Sequence, residues 1–140
     1  MQKAEGWMLD KLRKMKMITA VLMGVWFYSL TILIHVLVIC SIIPYTWVNG
    51  GRSESFAAQL SLSMISTLIA VMGVVFTLLI GGNKLTKFNR GITVICWFLA
   101  VFWSFGFIQQ WLGTPFEKTV CSFVLLLGVL SHLRMAIEKR

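Results

Sequence analysis

Four stretches of this 140-residue chain, close to residues 18–44, 60–81, 91–112 and 119–136, are almost free of charged side chains and densely apolar. A run of 18 or more such residues is long enough to cross a bilayer as a helix. Within hydrocarbon a segment has to satisfy its backbone N–H and C=O groups internally, and a helix does this. Only 13% of the residues are charged and 58% are hydrophobic, whereas soluble domains carry about 25% charge. The expected fold is an all-α polytopic membrane protein. It is a single domain over residues 1–140, with four transmembrane helices in an antiparallel up-down bundle.

Turn-forming residues separate the blocks. Pro44 is expected to end the first span, and Asn49-Gly50-Gly51 marks a turn within the connection Tyr45 to Gln59. Gly81-Gly82-Asn83 closes the second span and Gly113-Thr114-Pro115 the third. At about 40 Å the first span covers a core of about 30 Å with tilt or overhang. It is about twice the length of a signal-peptide h-region and has no small-residue cleavage site after it, so it is read as a retained helix. Residues 1–17 form a basic lead-in in which Met8, Leu12 and Met15 recur at helical spacing, as in an interfacial half-helix.

The net charge of +8 raises the possibility of a nucleic-acid partner. The distribution argues against one, because the basic residues flank the apolar blocks. Eleven of the thirteen Lys and Arg residues fall on one side, in the N-terminal tail, the second loop (Lys84, Lys87, Arg90) and the C-terminal end. Only Arg52 and Lys118 fall on the other. By the positive-inside rule both termini are cytoplasmic.

Few groups in the spans could carry chemistry. Cys40, Cys96 and Cys121 form no CxxC pair and read as small packed hydrophobes. The second span bears Ser63, Ser66, Ala70, Gly73, Thr77 and Gly81 on one face, suited to close helix packing within the chain or at the seam of a homo-oligomer. His35 lies at membrane depth in the first span and is a functional candidate on that account. His132 lies near the inner end of the fourth, about 15–20 Å away in depth. That separation excludes the pair as axial haem ligands or as one metal site, and no cofactor or metal is expected. Asn49, Arg52, Glu54 and Gln109 gather at the outer rim with Glu117, which is placed to cap the fourth helix or to pair with Arg52. No Asp or Glu lies within any of the expected spans, as a proton-coupled exporter would need, and no P-loop, HExxH or GxSxG motif occurs.

The stretch Ile43-Pro44-Tyr45-Thr46-Trp47-Val48-Asn49-Gly50-Gly51-Arg52, followed by Glu54, resembles the segment after the first span of an uncharacterised family of small bacterial four-helix integral membrane proteins. Gly113-Thr114-Pro115-Phe116-Glu117-Lys118 is similar to the stretch that leads into their last span. The resemblance implies architecture and a place in the bacterial inner membrane, with no activity attached. The resulting expectation is a non-enzymatic protein that binds a partner protein or a lipid at its outer rim. His35, Asn49, Arg52, Glu54, Gln109 and Glu117 are the candidate binding residues. The alternatives are a small homo-oligomeric transporter or channel, and a membrane-embedded enzyme acting on a lipid-like substrate through His35 and Glu117.

Overall fold

The computed structural model describes residues 2–140, which are helical apart from turns and short connections. Helix α1 (Gln2–Lys14) is the basic lead-in, followed by α2 (Met17–Ile39), α3 (Phe56–Gly81), α4 (Asn89–Trp111) and α5 (Ser122–Ala136). A π-helical turn at Glu117–Cys121 runs into α5. Four segments are long and apolar enough to cross a membrane: Met17–Ile39, Phe56–Gly81, Thr86–Trp111 and Glu117–Ala136. An even number of spans puts α1 and the C-terminal end on one side, the side rich in Lys and Arg.

Several boundaries differ from expectation. The first span ends at Ile39, five residues before Pro44. Ser41 takes a left-handed conformation (φ 60°), and the Ser41 and Ile42 N–H groups turn back to the carbonyls of Val38 and Leu37. This is a Schellman closure, which satisfies the last carbonyls of the helix without proline. At the end of α3 it is Asn83 (φ 52°), not a glycine, that takes the left-handed position of the same closure. Asparagine tolerates that region better than most residues. Helix α3 starts at Phe56 rather than 60, because the Ser55 hydroxyl caps it by accepting the Ala58 N–H. The fourth span starts before residue 119 for a similar reason, given below.

Helix α2 packs against α3 and α5, and α5 against α4. Helices α3 and α4, although consecutive, meet only marginally. The spatial order is therefore α3–α2–α5–α4, with an open side between the two outer members. The fourth span is the most buried of the four, at 50%, against 22% for α2 and 17% for each of the segments of α3 and α4. The lipid-directed surfaces of α3 and α4 are apolar, as at Leu68, Met72, Phe98 and Val101.

Small residues make the close contacts. A Cβ at Gly73 would lie 2.3 Å from the Tyr28 ring, and one at Gly128 would lie 2.8 Å from Phe27. Ser63, Ala70 and Thr77 are buried on the same face of α3. Much of the small-residue stripe thus packs on α2 within the chain, at Gly73 against Tyr28 and at Gly81 against Val21. Ser131 Oγ donates to the Ala20 carbonyl (2.6 Å), tying α5 to α2. The lead-in is anchored where Arg134 Nε donates to the Met15 carbonyl (2.8 Å) and the Arg134 guanidinium pairs with Glu138. Leu12 is buried while Trp7 and Met8 remain exposed, so α1 keeps an apolar surface of the kind that lies in a bilayer interface.

Candidate functional site

The end of the bundle poor in Lys and Arg holds a cavity of about 280 Å³. All four spans contribute: Ile34 and His35 from α2, Gln59, Leu62 and Ser66 from α3, Trp103 and Gln110 from α4, and Glu117, Cys121 and Leu125 from the fourth span. Val48 and Asn49 of the first loop cover it. The cavity lies where α3 and α4 diverge, so its flank is the open side of the bundle. Its wall is mixed, with aliphatic residues around a few polar groups, as is usual for ligand cavities.

Glu117 is 4% exposed and fastens the rim. The Gly50 N–H donates to both carboxylate oxygens at 3.0 Å, and the Thr114 N–H donates to Oε2 at 2.9 Å. The Thr114 hydroxyl in turn accepts the Glu117 N–H at 3.3 Å. Thr114-Pro115-Phe116-Glu117 is therefore a capping box with proline at the first helical position. The same hydroxyl donates to the Trp47 carbonyl, a second tie to the loop. Asn49, Gly50 and Gly51 have φ of 54°, 63° and 68°, which turns the Gly50 N–H toward the carboxylate. Arg52 does not pair with Glu117; its side chain lies over Gly50 and is exposed, and the only ion pair among the described residues joins Arg134 to Glu138.

A polar relay descends from the loop to His35. The Ser53 hydroxyl donates to Gln59 Oε1 (2.5 Å), Gln59 Nε2 donates to Ser63 Oγ (3.1 Å), and Ser63 Oγ lies 3.2 Å from His35 Nδ1. Ser63 is fully buried, and among the described residues its hydroxyl hydrogen has no other acceptor. The relay thus engages Nδ1 of His35, and which of the two groups donates follows the ring tautomer.

The floor is aromatic. Phe27 and Trp103 stand edge to face at 5.0 Å, and Phe27 and Tyr28 pack in a tilted arrangement at 4.7 Å. Beneath them His132 is completely buried, with Nδ1 donating to the Gly128 carbonyl (2.6 Å) and Nε2 accepting the Tyr28 hydroxyl (2.9 Å). His132 thus belongs to the packed floor, while His35 belongs to the cavity. Among the described residues no three His, Cys, Asp or Glu side chains converge.

The cavity brings together His35, Asn49 and Glu117 from the candidate residues. Arg52, Glu54 and Gln109 are exposed and lie outside it. The glutamine on its wall is Gln110, whose Oε1 is buried and has no hydrogen-bond partner. Helical phase separates the two: Cys96, Ala100, Trp103, Phe107 and Gln110 recur at spacings of three and four, and Gln109 falls off that face. Gln59, Ser63 and Ser66 extend the small-residue face of α3 in the same way. That periodicity was the available signal for all four. No family model, curated protein or solved structure matches this chain.

Proposed function

We propose that the protein is a non-enzymatic, multi-pass protein of the bacterial inner membrane that binds a lipid-like amphiphile in the cavity of its outer half. The observation that carries this reading is the open side between α3 and α4 beside a cavity with a mixed wall. An amphiphile can enter sideways from the outer leaflet, place its head among the polar groups and leave its chain in the membrane. The positive-inside count supports an outer position for this rim.

The competing readings draw less support. A conduction path within one chain would have to pass Phe27, Tyr28, Trp103 and His132, which are packed against each other. The enzyme reading needs Glu117 as a mobile acid or base, and that carboxylate is engaged with two backbone N–H donors in holding the loop. A partner protein would contact the exposed Arg52 and Glu54 instead of the cavity.

Photolabelling with an amphiphile carrying a diazirine in its chain tests the reading in native membranes. Labels should concentrate on the facing sides of α3 and α4, and Ser66→Phe, which fills the cavity, should reduce them at least fivefold. Uniform labelling around the bundle, unchanged by Ser66→Phe, would sink it.

A further inference from the structure

We infer that the cavity selects an uncharged head group able both to accept and to donate a hydrogen bond, namely a primary alcohol or primary amide on an apolar chain. The inference rests on the amphiphile reading above and specifies its ligand. The relay from Ser53 through Gln59 and Ser63 engages His35 Nδ1, leaving Nε2 as the free hydrogen-bonding nitrogen of a residue that lines the cavity. Gln110 Oε1, on a different helix of the same wall, is a buried acceptor with no partner. Orphaned buried acceptors are rare and costly, and rotation of the Gln110 amide into the cavity would let a ligand N–H or O–H satisfy this one. Trp103 Nε1 also lines the cavity without a well-formed hydrogen bond. The wall therefore offers both donor and acceptor functions, and an alcohol or amide complements both.

Charge sorts the remaining candidates. No Lys or Arg lines the cavity, and Glu117 stands on its wall without a cationic partner. A carboxylate or phosphate head would meet that like charge at low dielectric with nothing to offset it. An ammonium head would find both Glu117 oxygens already accepting backbone N–H groups. Ile34, Leu62, Val124 and Leu125 leave room only for an apolar chain beyond the head.

Native mass spectrometry of the full chain, released from mild detergent with five probes of equal chain length, gives the test. Dodecanol and dodecanamide should form one-to-one adducts. Dodecanoate, dodecyl phosphate and dodecylamine should occupy the protein at least tenfold less. Gln110→Leu and His35→Phe should each weaken the alcohol adduct about tenfold, while Gln109→Leu should leave it unchanged. Thermal midpoints identify any variant that fails to fold, and Gln110→Leu, which removes no existing hydrogen bond, stands if His35→Phe does not. Equal occupancy by all five probes, or preference for a charged one, overturns the head-group assignment while preserving the amphiphile site. Absence of adducts with every probe overturns both.

Discussion

The Gly50 amide and the Glu117 carboxylate lie 67 residues apart in sequence and meet at 3.0 Å on both oxygens. Through this contact the first loop is held over the cavity by the head of the fourth span. A residue expected to act in binding is therefore first of all a clamp, and its partner is a backbone N–H rather than Arg52.

Glu117→Ala should lower stability by about 2–4 kcal/mol, since hydrogen bonds to a charged group are worth about 1.5–3 kcal/mol and two part-buried N–H donors lose their acceptor. Thr114→Val should act in the same direction to a smaller extent. Arg52→Ala should leave the thermal midpoint in detergent unchanged. Equal shifts for Glu117→Ala and Arg52→Ala would refute this division.

Gly73→Ala and Gly128→Ala should both destabilise, by about 2 kcal/mol or more. Alanine gains about 1 kcal/mol over glycine in a helix, but here its methyl group would drive into Tyr28 and Phe27 and push helices apart. Gly91, which has open space around its Cβ position, provides the control. Thermal unfolding of Gly91→Ala should show no loss.

The Tyr28–His132 hydrogen bond joins α2 to α5 at 2.9 Å. A double-mutant cycle with Tyr28→Phe and His132→Leu should give a coupling of about 0.6–1.7 kcal/mol, the range found for interhelical hydrogen bonds in membranes. Zero coupling in unfolding measurements would mean that the aromatic floor holds without it.

Orientation is open to direct labelling. In a background with the native cysteines replaced by serine, a cysteine at Ser53 should react with an impermeant maleimide in intact cells. One at Thr86 should react only after permeabilisation. The reverse pattern would invert the bundle and place the cavity on the cytoplasmic side.

How much of this was legible beforehand can be judged element by element. Four apolar blocks determined the number of spans, and hence that both ends lie on one side, because hydrocarbon admits such segments only as helices. The capping box at Thr114 and Glu117 was present as a local pattern, and so was the face of α4 that carries Gln110 in place of Gln109. Helix ends were harder, since Ser41 and Asn83 take left-handed positions that residue type alone does not assign to them.

The sequence by itself determined that this chain forms four membrane-crossing helices and that its exposed charge is sorted by side. Only the tertiary structure decided that α3 and α4 diverge, that His35 and Gln110 share a cavity, and that Glu117 reaches Gly50 rather than Arg52. The first set depends on how each segment partitions between water and lipid, a property of local composition. The second depends on which small residues allow two helices to approach, as at Gly73 and Gly128. That choice is made between segments distant in the chain, and no single segment records it.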